Sequence, residues 1–184
     1  MSFMMGHAAM ATTVVRHFRD RPPCTPARFR QVLGHFATGV TVITTRDADG
    51  PAGFACQSFS ALSLTPPLVV FLVGRASTTW PRIERTGVFC VSVLGAGQEE
   101  LCRSFAVSGG DKFTGVPHRP APATGAPVLA GAVAWIDCRV QEVHEGGDHL
   151  IVVGRVEALA AAPDLPDPPD PLLFHRGRFR RLGP

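Results

Sequence analysis

The stretch that decides the fold reads Gly53-Phe54-Ala55-Cys56-Gln57-Ser58-Phe59-Ser60-Ala61-Leu62-Ser63-Leu64-Thr65-Pro66-Pro67. Residues 53–64 are predicted to form a strand, so Ala55, Gln57 and Phe59 would share one face and Cys56, Ser58 and Ser60 the other. The apolar run at residues 68–73 has no polar face, which predicts a second strand covered on both sides. A core would cover its inside, and a helix or a partner subunit its outside.

The polar groups of this stretch suggest a ligand. Small hydroxyls, an amide and exposed backbone leave room for a flat heteroaromatic ring and supply donors and acceptors along its edge. After the second strand comes Arg75-Ala76-Ser77-Thr78-Thr79-Trp80-Pro81, whose guanidinium, hydroxyls and helix-start amides could bind a phosphate. A ring edge followed by a phosphate indicates a flavin nucleotide. Two simpler alternatives remain: the hydroxyls cap the helix, and Trp80 belongs to the core.

The rest of the chain predicts mainly strands. The expected elements are a helix capped by Thr25 with Pro26 at its first position, strands at 40–45 and 88–94, helices bracketed by Thr79 and Gly87 and at 98–107, a hairpin of 132–144 with 149–159, and a last strand from 172. Six or seven strands with few helices, none alternating regularly with them, predict a mainly β, antiparallel barrel and not a parallel α/β sheet.

Composition sets the remaining bounds. With 184 residues, one domain at 25–184 is expected, preceded by a flexible tail at 1–24. Lys and Arg exceed Asp and Glu by 18 to 15, a formal charge of +3, which does not call for nucleic acid. Five scattered cysteines without a CxxC pair predict reduced thiols in the cytoplasm. The sequence contains no apolar run of about 20 residues, so no membrane-spanning helix is predicted.

Three motifs are typical of other functions, but each lacks a feature that its function requires. Gly95-Ala96-Gly97 lies between a strand and a helix, but Glu100 stands where a dinucleotide fingerprint needs its third glycine. His144 and His149 lie five apart across a Gly-Gly turn, whereas a zinc-protease pair lies four apart on one helix, so no metal is expected. Ser58 and Ser63 lack a nucleophile elbow.

Several segments, in their order along the chain, resemble the short-chain flavin reductases of two-component monooxygenases. The resemblance runs from Phe29 to Phe179 and rests on Ala37-Thr38-Gly39-Val40-Thr41-Val42, Cys56-Gln57-Ser58-Phe59, Ser63-Leu64-Thr65-Pro66-Pro67, Gly110-Asp111-Lys112-Phe113, Gly147-Asp148-His149 and Pro171-Leu172-Leu173-Phe174-His175-Arg176-Gly177-Arg178-Phe179. It implies an antiparallel Greek-key split β-barrel with a few short helices. Members of the family often carry an Asn-containing pair where this chain has Cys56-Gln57; Gln57 keeps the amide.

Residue roles follow from the resemblance together with the chemistry above. The candidate cofactor-binding residues are Thr38, Thr41, Cys56, Gln57, Ser58, Phe59, Ser63, Leu64, Arg75, Ser77, Thr78, Thr79, Trp80, Lys112, Phe113, Phe174, Arg176 and Gly177. The catalytic candidate is His149, which the resemblance places beside the nicotinamide. Alternatively, His149 is a turn residue bonded to Asp148, Arg176 packs on Phe179, and the Lys112 loop is an exposed connection.

The expected activity is that of an NADH- or NADPH-dependent flavin reductase. Hydride would pass directly from nicotinamide C4 to flavin N5 of an exchangeable FAD or FMN, which needs placement and no protein nucleophile. The resemblance also implies a homodimer and a partner monooxygenase that receives reduced flavin. Two alternatives remain: a flavin-binding or sensing module without turnover, and an oxidase similar to the pyridoxamine phosphate oxidases.

Overall fold

The computed structural model describes residues 22–161 and 170–182. Most of the predicted tail and of the proline-rich link before the last strand lies outside them. One short helix, α1 (Pro26–Leu33), belongs to a separate unit that ends at His35, and the unit treated below begins at Phe36. Thr25 caps α1 as predicted: its hydroxyl accepts a hydrogen bond from Arg28 N at 3.3 Å, and Pro26 occupies the first position.

The main unit is built on an antiparallel sheet of seven strands in the order β3-β2-β6-β9-β10-β5-β4. These strands are β2 (Thr41–Asp47), β3 (Gly50–Cys56), β4 (Ser60–Leu64), β5 (Pro67–Gly74), β6 (Val88–Val93), β9 (Ala134–Gly146) and β10 (His149–Ala161). Two helices flank them, α2 (Trp80–Thr86) and α3 (Glu99–Ala106). The predicted antiparallel, mainly β architecture is confirmed.

Five further strands are short. They are β1 (Thr38–Gly39), β7 (His118–Pro120), β8 (Pro127–Leu129), β11 (Leu173–His175) and β12 (Arg178–Arg180). Of these only β11, the last strand expected from residue 172, was predicted from the sequence. β1 pairs with β11, which pairs in turn with β12, and β7 pairs with β8. The C-terminal segment thereby returns to the start of the domain.

The prediction of one strand over residues 53–64 is wrong. β3 ends at Cys56 and β4 begins at Ser60, and the two lie at opposite edges of the sheet. The physical reason is Ser58, whose hydroxyl donates to Leu72 O at 3.1 Å and accepts from Leu72 N at 3.2 Å. At this point the chain ends its pairing with β2 and crosses over to pair with β5. The predicted alternation of faces therefore does not continue through residues 57–59.

Of the two covers predicted for β5, the core on its inside is present, whereas the helix or partner subunit on its outside stays a prediction. Val69, Phe71 and Val73 are buried in the core. The alternate residues Leu68 and Val70 are only half-buried, and Leu72 is exposed. The outer face of β5 is therefore apolar and open.

Two hydrophobic clusters supply most of the buried apolar residues of the domain. The first packs the inner sheet face against α2, with the rings of Phe71 and Phe89 in edge contact at 5.1 Å and Trp80 fully enclosed. The second surrounds α3, where Phe105 meets Phe113 edge-on at 5.1 Å. The first cluster contains residues of both β3 and β5.

Candidate functional site

The barrel is split where β3 and β5 approach each other without pairing. β3 is an edge of the sheet, and β5 pairs with β10 and β4. The Ser58 hydroxyl bridges the gap with two bonds to Leu72, and the Cys56 thiol adds a weak contact to Leu72 O at 3.9 Å. We call this gap the seam, and a groove runs along it.

The groove consists of three adjoining pockets. The ring pocket, about 320 Å³, is lined by Phe54, Ala55, Cys56, Gln57, Ser58, Leu72, Val73, Gly74, Ser77 and His149. The middle pocket, about 280 Å³, is lined by Phe54, Ala55, Gly74, Ala76, Ser77, Thr78, Thr79, Phe105, Ala106, Val107, Ser108 and Lys112. The far pocket, about 240 Å³, is lined by Pro51, Ala52, Gly53, Thr78, Thr79, Arg82, Gly109, Gly110, Asp111, Lys112 and Phe113. Shared residues make them continuous.

The ring pocket is lined by an amide, a hydroxyl, an imidazole and an uncharged thiol. Gln57 makes no hydrogen bond to the described part of the chain, so its amide is available to a ligand. His149 Nδ1 bonds Asp148 Oδ1 at 2.7 Å, which lowers the pKa of Asp148 and leaves Nε2 near Gly74. Burial raises the pKa of the Cys56 thiol, so that side chain stays uncharged.

The two alternative roles predicted for His149 are compatible with each other. The predicted turn contact with Asp148 exists, and the imidazole also lines the ring pocket. A Cβ on Gly74 would lie 3.8 Å from Nε2, so the glycine keeps this side of the pocket free of side-chain atoms. The Asp148 carboxylate is an acceptor, which means that Nδ1 carries the proton.

The three hydroxyl side chains before α2 differ in their hydrogen-bond partners. Ser77 Oγ accepts from Thr79 N and Trp80 N at 3.3 and 3.2 Å, so Ser77 is the cap. Thr79 Oγ1 donates to Gly53 O at 3.3 Å and is buried. The Thr78 hydroxyl has no hydrogen-bond partner among the described residues and borders both the middle and the far pocket.

Lys112 is the cation at the junction of the middle and far pockets. Its Nζ donates to Gly53 O and Phe105 O, each at 3.2 Å, and within residues 22–161 and 170–182 it has no carboxylate partner. Burial lowers its pKa. The neighbouring Asp111 is occupied by its own loop, since it accepts from Phe113 N at 2.8 Å and Thr114 N at 3.2 Å. An ammonium held by carbonyls alone suits an anionic ligand.

Some predicted site residues lie outside the groove. Arg75 donates from Nε to Gly147 O at 2.9 Å and pairs with Glu145, so it fastens the β9–β10 turn. Thr41 Oγ1 donates to Cys56 O at 2.9 Å and supports β3 from inside the core. Trp80 is buried in the core, which is the alternative left open above.

The remaining predicted residues lie at two other places. Phe59, Ser63 and Leu64 are on the β4 side, where Leu64 is 92% exposed. Thr38, Phe174, Arg176 and Gly177 belong to the three-stranded sheet. Thr38 stands opposite Phe174, and its buried hydroxyl lacks a hydrogen-bond partner in the described chain. Arg176 and Gly177 form the turn to β12, and Phe174 stacks edge-on against Phe179 at 5.4 Å.

Other lining residues were not predicted from the sequence. Phe54 and Ala55 line both the ring and the middle pocket from β3, and Arg82 reaches the far pocket from α2. Arg82 is held by Asp47 and by Gly50 O, and these bonds with those of Arg85 lower the pKa of Asp47. Gly74 also lines the groove, and its place at the end of an apolar strand is a signal from which the sequence could have predicted this role.

An antiparallel barrel that is split between two strands, with a polar, cation-bearing groove in the split, defines a split-barrel protein of the cofactor-binding kind. The sequence model described as a flavin reductase like domain matches residues 33–183. The chain belongs to that family. No helix in the described ranges is long and apolar enough to cross a membrane.

Relatives and a solved structure give the same assignment. The chain is 48% identical over 159 residues to the reductase subunit HsaB of a flavin-dependent monooxygenase from Rhodococcus jostii, covering 86% of this chain and 79% of the relative. It is 40% identical over 161 residues to an NADH-dependent FAD reductase from Streptomyces globisporus, covering 85% and 86%. A crystal structure of a nitrilotriacetate monooxygenase component B homolog from Mycobacterium thermoresistibile superposes with a TM-score of 0.81 at 46% identity, covering 85% and 86%.

Proposed function

We propose that this protein is an NAD(P)H-dependent flavin reductase that reduces exchangeable FAD or FMN and supplies reduced flavin to a partner monooxygenase. The observation that carries the proposal is the groove along the seam, which combines a ring pocket with free polar groups and an unpaired cation further along. Family membership and the monooxygenase reductase subunit among the relatives support it.

The residues present fit a flavin. In the ring pocket, the Gln57 amide and the Ser58 hydroxyl would meet the polar rim of the ring, while Gly74 leaves its face uncovered. The Thr78 hydroxyl and the Lys112 ammonium would contact the phosphate at the pocket junction. Ser77 and Thr79 would act indirectly, by fixing the start of α2 and the position of Gly53.

His149 is proposed to position the nicotinamide. When bound, the flavin accepts a hydride from the reduced nicotinamide, so the chain needs no nucleophile of its own. What the chain contributes is placement of two rings in a near-attack arrangement. Asp148 holds the imidazole, and Nε2 is left to contact the dinucleotide.

A homodimer is proposed for the open apolar face of β5. Leu72 is 39% exposed, and Leu62 and Leu64 on the neighbouring β4 are 52% and 92% exposed. A second copy on this face would bury them and bring Phe59 and the β4 residues Ser63 and Leu64 towards the groove of its partner. Leu72→Asp is expected to give a monomer by light scattering; an unchanged mass would exclude this face.

The environment and boundaries of the domain are proposed on composition. Among the described cysteines, Cys56, Cys90, Cys102 and Cys138 are buried and unpaired, and Cys24 is exposed and unpaired. Free thiols support action in the reducing cytoplasm. Residues 25–184 are proposed as the folded domain, which predicts that a chain lacking residues 1–24 retains flavin reduction.

One assay tests the activity. The purified protein is mixed with FAD or FMN and with NADH or NADPH without oxygen, and the nicotinamide and flavin absorbance bands are followed. Loss of both bands supports the reductase. Bound flavin that no nicotinamide bleaches would instead make the chain a binding module, and oxygen uptake with an amine donor would make it an oxidase.

A matched pair of variants tests the role of His149. His149→Ala should raise the KM for the nicotinamide about tenfold with little change in flavin Kd. His144→Ala is the control, since His144 lies on the same hairpin, pairs with Glu142 and lines none of the three pockets. Equal effects of both variants would remove His149 from the site.

A further inference from the structure

Arg75 follows β5 directly and is bonded to both carbonyls of the turn that joins β9 to β10. Its backbone N donates to Asp148 O at 3.1 Å, and its side-chain Nε donates to Gly147 O at 2.9 Å. We propose that Arg75 is a positioning residue for the nicotinamide, acting through Asp148 and His149 and not by contact with the dinucleotide. The inference rests on the role of His149 in the proposed function.

The two bonds from Arg75 act on the peptide planes on either side of Asp148. The Gly147 carbonyl belongs to the plane before Asp148, and the Asp148 carbonyl belongs to the plane after it. Because each plane is held, the backbone dihedral angles of Asp148 are restricted, and its side chain leaves the turn in one direction. That direction sets where the carboxylate meets Nδ1 of His149, 2.7 Å away.

The turn itself supplies little stiffness, so a support from outside matters. Gly146 and Gly147 come directly before Asp148, and Gly147 has a φ of +75°. Glycine has the widest range of backbone conformations. The side chain of Asp148 is 94% exposed and that of His149 is 48% exposed, so packing alone does not hold them. Hydrogen bonds therefore set the position of the imidazole at the ring pocket.

Glu145, the residue before the two glycines, orients the guanidinium of Arg75. The two side chains form an ion pair, and both are exposed, so the pair contributes little to the stability of the fold. Its effect is to direct Nε of Arg75 towards Gly147 O. The support thus runs from Glu145 through Arg75 and the turn to His149, which lines the ring pocket.

The alternative is that Arg75 contacts a phosphate of the dinucleotide directly, as its charge would allow. The contacts favour positioning, because a carbonyl and a carboxylate already engage the guanidinium, and Arg75 lines none of the three pockets. The two roles predict opposite effects for Glu145→Gln. Positioning predicts a nicotinamide KM about twofold higher, since the guanidinium loses its charged partner, whereas direct contact predicts a lower KM, since a competing carboxylate is removed.

Steady-state kinetics of the full chain at saturating flavin test the proposal. Arg75→Met removes the guanidinium and should raise the nicotinamide KM about fivefold, while flavin Kd stays within about twofold. In the His149→Ala background the same substitution should have almost no further effect, because positioning works only through the imidazole. Arg75→Lys should recover part of the loss, since an ammonium can still donate to Gly147 O.

Arg139→Met is the matched control. Arg139 lies on the same hairpin, is similarly exposed and pairs with Glu157 at 3.8 Å, but it lies away from the turn, so the nicotinamide KM should not change. The ring nitrogen chemical shifts of His149 supply a readout that needs no turnover. In the wild type they should show the proton on Nδ1, and Arg75→Met should move part of the population to Nε2.

Three kinetic results would overturn the inference. They are additive effects of Arg75→Met and His149→Ala, an equal rise in KM for Arg139→Met, and a lower KM for Glu145→Gln. Unchanged ring nitrogen shifts of His149 in Arg75→Met would overturn it as well. Absence of nicotinamide oxidation by the wild type would instead refute the proposed function, and the shifts would still decide whether Arg75 orients His149.

Discussion

Two pairs of strands that approach each other in the barrel behave in opposite ways. β9 and β10 are 13 residues each and pair from Ala134 opposite Ala161 to Gly146 opposite His149. β3 and β5 meet only across the seam, where Ser58 makes the bridge. The β9–β10 ladder spans the full length of both strands, with two shifts of register, and leaves no groove between them, whereas the missing ladder between β3 and β5 leaves one. A barrel can thus be rigid and accessible at once, because β3 and β5 both pack into one hydrophobic cluster beneath the gap.

A glycine on each side makes the comparison testable. In β10, a Cβ on Gly154 would lie 2.3 Å from Cζ of the buried Phe89. In β5, a Cβ on Gly74 would meet only His149 Nε2, at 3.8 Å. The closed pair therefore needs its glycine for packing, and the seam needs its glycine for space.

The largest effect is expected for Gly154→Ala. The new methyl must displace the Phe89 ring, which has no free volume to enter, so the free energy of unfolding should fall by about 3 kcal/mol. Urea denaturation followed by circular dichroism measures this. Gly97→Ala serves as the control, because nothing lies within 4 Å of a Cβ at Gly97. Phe89→Leu should restore part of the loss in the double variant; no restoration would mean that the clash is not the cause.

How much of this contrast the sequence could predict depends on the range of the interactions. The β9–β10 hairpin was predictable, because the alternating strands and the Gly-Gly turn are local signals. The break between β3 and β4 was not, since it depends on Ser58 bonding a backbone 14 residues away. The open outer face of β5 could not be predicted either, because an apolar run looks the same whether its outer face contacts its own chain or another.

The second effect concerns Gly74→Leu in the seam. A leucyl side chain at this point would project into the ring and middle pockets that Gly74 lines, so flavin Kd should rise about a hundredfold. The free energy of unfolding should change by less than about 1 kcal/mol, because the Cβ contact with His149 is an ordinary one. Flavin fluorescence titration and urea denaturation check the two halves. A large loss of stability with intact binding would reverse the roles assigned to the two glycines.

The third effect isolates the charge at the pocket junction. Lys112→Met keeps the length of the side chain and removes the ammonium, so FMN Kd should rise about tenfold while riboflavin Kd stays nearly constant. Arg103→Met is the control, since Arg103 is an exposed residue of α3 that pairs with Glu99 and Glu100. Equal losses for FMN and riboflavin would mean that Lys112 supports the loop and does not contact phosphate.

The pH dependence of FMN binding follows from the same side chain. Burial lowers the pKa of Lys112 below its ordinary value of 10.5, so the ammonium loses its proton at a lower pH than an exposed lysine. FMN affinity should therefore fall as pH rises through that lowered pKa, before 10.5 is reached. The Lys112→Met variant and riboflavin should both lack this step. A step that survives in the variant belongs to another group.

The site shows the same division between local and distant signals. Three consecutive hydroxyls at residues 77–79 indicated a phosphate, and their order along the chain could not say which of them was free. Tertiary contacts decide that: Ser77 caps α2, Thr79 bonds Gly53 O, and Thr78 is left facing the groove. Arg75 was an equally good candidate by charge, but the turn at Gly147 holds its guanidinium.

The smallest effect should come from Ser58→Ala, which tests the bridge itself. Its hydroxyl makes two bonds with the Leu72 backbone in a partly exposed setting, so losing both should lower the free energy of unfolding by about 1 kcal/mol. Because these bonds set the width of the seam, flavin Kd should rise as well, by about threefold. Ser60→Ala is the matched control, since that hydroxyl bonds only the adjacent Ala61 O and is exposed. If Ser58→Ala changes neither quantity, the hydrophobic cluster that β3 and β5 share holds the seam at its width without the bridge, and the groove is set by packing alone.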